Sequence, residues 1–342
     1  NLLNTTLDPI NLGRCLEKLK KQNIDNVILE ASSHGLKQHR LDGLNFTTAI
    51  FTNLSHDHLD YHKNFKDYLN AKLYLFKKLL KKKSNIITDI TIPEYKKIKK
   101  ISQKNKLCLE TIGKDKGDLI IVRHKYQDEK QIVKIKYNNN IYSFKVNLIG
   151  KIQIKNIAMA MVAAEKSNIN FKKIVNVINK IKPVNGRLEK IGMLRNNAKV
   201  ILDYSHTPDA LKSCLQSLRD QFKNNKISIV FGCGGERDKS KRPKMGKIAN
   251  NYCNKIYLTD DNPRKENPKK IRSSIKSKIN KLKLYEIPSR EKAIKEAIKN
   301  LSTGEILVVA GKGHENVQDY GNSKKFFSDK KCILQNIKQK NK

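Results

Sequence analysis

The sequence predicts an α/β fold in two units, a first with a mostly parallel sheet and a second of doubly wound, Rossmann-like type. Three observations carry this. Short apolar runs suited to buried strands, VILEA at residues 27–31, IYLTD at 256–260 and ILVVA at 306–310, alternate with helical patterns. Each run leads into a polar string, EASSHGLKQHR (30–40), DDNPRKENP (260–268) or AGKGHE (310–315), where open α/β sheets carry ligand loops. Finally, KPVNGR at 182–187 punctuates the chain with Pro and Gly, marking a boundary between domains 1–183 and 184–342.

In the first unit, apolar spacing predicts a helix over 10–22, buried strands over 26–31 and 48–53, and a long amphipathic helix over 64–83. Between 118 and 146 the pattern becomes short alternating strands. YNNNIY at 137–142 reads as a hairpin turn there, because asparagine tolerates the left-handed backbone that such turns need. Helices follow over 152–167 and 171–181. In the second unit, strands over 200–204, 227–231, 255–259 and 305–310 alternate with helices over 208–222, 242–252, near 268–279 and 290–300. No GxGxxG string accompanies them, so a dinucleotide cofactor is not expected.

A chain of 342 residues with 38% hydrophobic content is long and apolar enough for two cores. No apolar run approaches the roughly 20 residues that cross a bilayer, and no signal-peptide pattern opens the chain. A soluble, cytoplasmic protein with no membrane insertion is expected. The cysteines (Cys15, Cys108, Cys214, Cys233, Cys253, Cys332) form no CxxC pair, which disfavours a structural zinc site and a disulfide framework. The net charge of +39 is of the kind that attracts polyanions. Its lysines are spread over helix faces, however, with no recognisable nucleic-acid motif and few aromatics, so no nucleic-acid partner is expected and the charge serves solubility and steering.

Several residues suggest chemistry. Glu30 ends an apolar run among small residues, a position suited both to presenting a carboxylate to Mg²⁺ and to capping the next turn. NLSHDHLDYH (53–62) gathers three histidines and two aspartates, a composition compatible with zinc. Lys72, in NAKLYLF, reads by itself as an exposed helix lysine. Asp203, in DYSHTPDAL, follows a strand and is equally suited to capping the next helix.

Taken together, EASSHGLKQHR, DDNPRKENP and AGKGHE, with an NTT string at 4–6, resemble the Mur ligases over nearly the whole chain. The resemblance implies the family's central ATPase domain, here incomplete, followed by its C-terminal amino-acid-binding domain. It implies an ATP-dependent acid–amino-acid ligase of peptidoglycan synthesis, serving cell-wall growth, cell shape and division. DNPR implies addition of meso-diaminopimelate to UDP-N-acetylmuramoyl-L-alanyl-D-glutamate by way of an acyl phosphate.

Carried over residue by residue, the resemblance assigns Glu30, His58 and Lys72 to magnesium and catalysis, with Lys72 carrying a CO₂-derived carbamate. His56 stands where the family has arginine, and His62 is expected to be structural. Asn4, Thr5, Thr6, Ser32, Gln38 and Arg40 match positions that hold the UDP-muramoyl-dipeptide, while Asn156, Arg187 and Asp203 match positions that contact ATP. Gln153 stands in place of a second polar nucleotide contact, and Ser205 replaces the usual alanine. Arg237, Asp261, Asn262, Pro263, Arg264, Gly311 and Glu315 match the diaminopimelate site. A guanidinium for carboxylate and a carboxylate for ammonium, Arg264 and Glu315, suit a ligand that is zwitterionic at both ends. A monomer is expected.

No GxxxxGK[ST] phosphate loop occurs, and GCGGERDKS (232–240) and GKGHE (311–315) have the wrong order and spacing for one. With no initial methionine, the chain reads as a fragment lacking an upstream phosphate-loop region, and is expected to be inactive alone. Alternatives are a lysine-adding Mur ligase, a folylpolyglutamate synthetase-like enzyme, and a noncatalytic basic binding remnant.

Overall fold

The computed structural model describes residues 5–55 and 57–341. The chain packs as two compact units, one of Asn1–Lys125, Ile132–Val146 and Ile154–Lys180, the other of Tyr126–Gln131, Asn147–Gln153 and Ile181–Lys342.

The first stretch runs α1 (Pro9–Lys21), α2 (Ser33–Lys37), β1 (Phe46–Phe51), α3 (Phe65–Tyr74), β2 (Leu80–Asp89), α4 (Tyr95–Asn105), β3 (Cys108–Gly113), β4 (Leu119–Gln127), β5 (Lys130–Tyr137), β6 (Asn140–Val146), α5 (Lys151–Glu165) and α6 (Phe171–Val177). Helix starts follow local chemistry: Asp8, Ser32, Asn64 and Asn170 each accept a backbone N–H of the helix they precede. The sheet order is β1-β2-β3-β4-β5-β6, and β1 to β4 run parallel. Between β5 and β6, Asn138 (φ 47°) and Asn139 (φ 60°) make the expected turn. Phe51, Leu73, Phe76, Ile86 and Ile98 pack the core behind β1 and β2.

Two expectations fail here. Residues 26–31 form no strand: Val27 and Ile28 are 45 and 98% exposed, and among the described residues no strand pairs with the segment. Apolar content permits a strand, but a neighbour is needed to satisfy its backbone. The helix expected to reach residue 83 ends earlier. After Tyr74 it relaxes into a π-helical turn, Leu75–Leu79, and the chain enters β2 at Leu80.

The second stretch runs β7 (Glu189–Met193), β8 (Lys199–Asp203), α7 (Pro208–Gln221), β9 (Ile227–Phe231), α8 (Lys241–Tyr252), β10 (Lys255–Leu258), α9 (Pro268–Lys276), β11 (Leu284–Glu286), α10 (Arg290–Lys299), β12 (Ile306–Ala310), β13 (Val317–Asp319), β14 (Lys324–Phe326) and α11 (Asp329–Lys340). Its sheet order is β11-β10-β9-β12-β8-β7, parallel except for β7 against β8. ILVVA is continuously apolar because both faces of β12 are buried. Ile306 and Val308 face the layer of α7, α8 and α9, whereas Leu307 and Val309 face α10 and α11. Chain order reverses around β9, β12 and β8, which makes their carboxyl ends the switch point where such sheets hold ligands.

Candidate ligand-binding and catalytic site

In the first unit, the polar residues between α1 and α3 converge on Thr6. Its hydroxyl donates to the Glu30 carbonyl at 2.8 Å and accepts the Ser32 N–H at 2.9 Å. Ser32 Oγ caps α2 by accepting from Gly35 N at 3.1 Å. Gly35 is required at this approach, since a Cβ there would stand 2.7 Å from Thr6 Cβ. Arg40 Nη1 donates to the Thr6 carbonyl at 2.8 Å and Nη2 to Gln38 Oε1 at 2.5 Å, while Gln38 Nε2 donates to Tyr61 at 3.0 Å. Thr6, Ser32, Gln38 and Arg40 are thus brought together and Thr5 is exposed. Asn4 and His56 lie outside the described residues.

Lys72 sits on the last turn of α3, largely withdrawn from water, with its Nζ 5.4 Å from the centre of the Tyr68 ring. Burial holds its pKa below the ordinary lysine value, against the opposing pull of Glu30 and Asp57. The same burial, with Asp57, pushes the Tyr68 hydroxyl up to about 12. His58 lies edge-on to Tyr68, ring centres 5.8 Å apart, at a left-handed backbone position (φ 55°). Lys72, Glu30 and His58 therefore share one neighbourhood, and Asp57 joins them. Sequence reasoning passed over Asp57, although it lies in the same acid-and-histidine run.

His34 and His62 complete an imidazole cluster. His34 stacks on Tyr61 at 4.0 Å and lies 5.0 Å from His58 and 5.7 Å from His62. His62, buried, bonds Ser33 Oγ through Nε2 at 3.0 Å and stacks on Tyr68. Its Nδ1 stands 3.6 Å from Asp67, beyond hydrogen-bond reach. Burial lowers both pKa values, helped by His58 and His62 around His34 and by Lys37 beside His62. Among the described residues, no three His, Cys, Asp or Glu side chains are arranged to hold a metal by themselves. Asn156 lies exposed on α5.

In the second unit, the loops after β8, β9, β10 and β12 meet at the carboxyl end of the sheet. The loop after β10 is zipped to the loop after β9: Gly235 N donates to the Asn262 carbonyl at 2.9 Å, and Arg264 Nη1 donates to the Gly235 carbonyl at 2.7 Å. Glu266 extends the zip, accepting from Glu236 N at 2.8 Å and pairing with Arg242 at 2.9 Å. Burial tends to raise the Glu266 pKa, but these bonds carry it below the ordinary value. A Cβ on Gly235 would lie 1.8 Å from the Pro263 carbonyl, so this contact demands glycine. Arg264 itself takes a left-handed backbone (φ 52°), held by its N–H to the Asp319 carbonyl at 3.0 Å. One guanidinium nitrogen is spent on Gly235, and the rest of the fork suits a carboxylate.

The loop after β12 closes on the same place. Glu315 accepts from Tyr204 at 3.1 Å, from Asn262 Nδ2 at 3.1 Å and from Lys312 Nζ at 3.0 Å. Burial and Glu315 push the Tyr204 hydroxyl up to about 12. Gly311 (φ 111°) lets the chain pass Asp261, whose Oδ2 would be 2.8 Å from a Cβ. Arg187 lies over the Tyr204 ring at 4.4 Å. Asp203, buried, accepts from Leu188 N at 2.8 Å and from Ser205, so its carboxylate already braces the loop after β8. Arg237 is exposed on the loop after β9. Lys312, Tyr204 and Glu266, which lie among these loops, were not singled out from the sequence. The signal available for the first two was adjacency to the assigned positions in GKGHE and DYSH.

These loops bring a guanidinium and a carboxylate, Arg264 and Glu315, to the carboxyl ends of a doubly wound sheet. Comparison with known proteins makes the class specific. Residues 2–164 match the Mur ligase middle domain, and residues 186–313 match the Mur ligase, glutamate ligase domain. A relative from Rickettsia montanensis, UDP-N-acetylmuramoyl-L-alanyl-D-glutamate–2,6-diaminopimelate ligase, is 40% identical over 99% of this chain and 71% of its own length. A solved structure bearing the same enzyme name is 32% identical with a TM-score of 0.67, covering 99% of this chain and 69% of that one. Mycobacterium tuberculosis folylpolyglutamate synthase, at 16% identity and a TM-score of 0.65 over 78% of this chain and 61% of its own, shares the fold. The chain belongs to the Mur ligase family. Among the described residues no helix is long and apolar enough to cross a membrane.

Proposed function

We propose that this chain belongs to an ATP-dependent ligase that joins meso-diaminopimelate to UDP-N-acetylmuramoyl-L-alanyl-D-glutamate in peptidoglycan synthesis. The observation that carries the reading is the interlock of the DDNPR and GKGHE loops. It presents the Arg264 fork and the Glu315 carboxylate from loops joined through Asn262, opposite charges suited to a zwitterion. The lysine-adding alternative lacks a distal ligand carboxylate for Arg264.

In this reading the γ-phosphoryl group of ATP passes to the D-glutamyl carboxylate. The diaminopimelate amine then attacks the acyl phosphate carbon, forming the amide, releasing inorganic phosphate and losing its proton to solvent. Thr6, Ser32, Gln38 and Arg40, with Asn4 and Thr5, hold the UDP-muramoyl-dipeptide, and Asn156, Arg187 and Asp203 contact ATP. Arg237, Asp261, Asn262, Pro263, Arg264, Gly311 and Glu315 bind the amino acid.

Magnesium, when bound, neutralises phosphate charge. Glu30 and His58 supply oxygen and nitrogen ligands for it, and Lys72 fits a third. Its burial favours the neutral amine that adds to CO₂, giving a carbamate and releasing a proton, which replaces a cation near Glu30 and Asp57 by an anion. Residues 1–183 act as the ATPase domain and 184–342 as the amino-acid domain, in a monomeric cytoplasmic enzyme. A GxxxxGK[ST] loop serves the phosphoryl step and is not among these 342 residues, so this polypeptide alone is expected to form negligible product.

The test is a mass-spectrometric assay of a ligase that joins this chain to such a loop, supplied with ATP and the UDP-muramoyl-dipeptide. Meso-diaminopimelate should be incorporated in preference to L-lysine. Preference for lysine, or no amide with either, would sink the assignment.

A further inference from the structure

Lys312 is wholly buried, yet it is not a stray charge. Its ammonium donates to Asn262 Oδ1 at 2.9 Å, to Glu315 Oε2 at 3.0 Å and to the Val317 carbonyl at 2.7 Å, so all three N–H bonds are used. The local chain is built to turn it inward. Gly311 (φ 111°) and Gly313 (φ 54°) flank it, and a Cβ on Gly313 would stand 2.9 Å from Tyr204 Cβ. Val317, at the start of β13, supplies the third acceptor.

We infer that Lys312 is a specificity-determining residue, selecting a zwitterionic amino-acid head over a lone ammonium. This rests on the amino-acid site proposed above. One oxygen of Glu315 is balanced by Lys312 and the other accepts from Tyr204. A lone ammonium entering there meets a carboxylate whose charge is already offset, and it leaves the Arg264 fork without an anion. A head carrying both ammonium and carboxylate pairs each charge with its opposite and adds no net charge to the recess. Without Lys312, Glu315 carries an unbalanced negative charge that attracts simple cations. Lys312 thus discriminates without touching ligand, and Asn262, fixed by the same ammonium, keeps the two loops in register.

The experiment is calorimetric titration of the purified 342-residue protein with meso-diaminopimelate and with 1,5-diaminopentane, which has the same chain and no carboxylates. The wild type should prefer meso-diaminopimelate. Lys312→Met should shift the ratio of the two affinities by at least about tenfold toward the diamine, and Lys312→Arg, which keeps the charge, should retain the wild-type ratio. If Lys312→Met does not fold, Lys312→Gln, neutral but still a donor, takes its place with the same expected shift. An unchanged ratio, with both ligands weakened equally, means that Lys312 merely props the loop and overturns this inference alone. A wild-type protein that binds neither ligand, or prefers the diamine, overturns the amino-acid-site reading and this inference with it.

Discussion

Arg290 and Asp329 form a fully buried, two-pronged ion pair joining the start of α10 to the start of α11. Nε donates to Oδ1 at 2.8 Å and Nη2 to Oδ2 at 2.6 Å. Nη2 also donates to the carbonyl of Ala310, at the end of β12, at 2.9 Å. Burial disfavours the charged guanidinium, but the facing Asp329 carboxylate more than offsets this and raises the Arg290 pKa. The pair thereby anchors the strand end from which the Gly311–Glu315 loop departs. Asp329→Ala leaves a buried guanidinium without its counter-charge and is expected to cost about 3–5 kcal/mol. Urea denaturation measures it, and a loss below about 1 kcal/mol would place the pair with ordinary surface ion pairs.

Lys72 carries a lowered pKa because it is buried. The unfolded chain therefore binds more protons than the folded one between the depressed folded value and the ordinary 10.5, so stability rises with pH across that window. In CO₂-free buffer, Lys72→Met should be more stable than wild type at neutral pH. The advantage should shrink to nothing above the unfolded value. In the loop-completed ligase, Lys72→Ala should lose most activity and regain part of it with a short carboxylic acid. Full activity of the alanine variant without CO₂ would refute the carbamate role.

The imidazole cluster is expected to make the first unit acid-sensitive. Burial depresses His34 and His62 below the ordinary 6.5. Unfolding then takes up protons as pH falls from 6.5 toward the depressed values, and stability is lost over that interval. His62→Gln, which keeps a donor for Ser33, should flatten the decline in urea midpoint between neutral and mildly acid pH. Parallel profiles for variant and wild type would show that His62 does not contribute.

Arg264→Ala, in the loop-completed ligase, should raise KM for meso-diaminopimelate far more than KM for ATP. Loss of a charge-assisted carboxylate contact typically costs about 2–5 kcal/mol. Lysine, with no distal carboxylate, should suffer much less. Steady-state kinetics with both amino acids decide this, and equal weakening of the two removes Arg264 from its role as selector.

How much of this was legible beforehand varies by element. The helix caps Asn267, Ser289 and Ser328 act through side-chain bonds to N–H groups two or three residues on, and local sequence suffices to specify those. The 306–310 and 227–231 runs read correctly as strands, since a short, predominantly apolar run bounded by turn signals leaves few other buried conformations. The alternation of such runs with amphipathic helices set the parallel order of the second sheet.

Residues 27–31 have equally apolar content and formed no strand, because pairing depends on a neighbour that the segment itself does not encode. The same limit applies to charge. On sequence, Lys72, Arg290 and Lys312 belong to a crowd of 71 basic residues, most suited to solvent. Tertiary structure alone decided that Lys72 lies against Tyr68, that Arg290 meets Asp329 across 39 positions, and that Lys312 is enclosed by Asn262, Glu315 and Val317. Composition and periodicity determine which segments bury apolar surface. Which charge goes in with them depends on partners brought close by the fold, since a buried ion is tolerated only where its opposite and its hydrogen bonds arrive together.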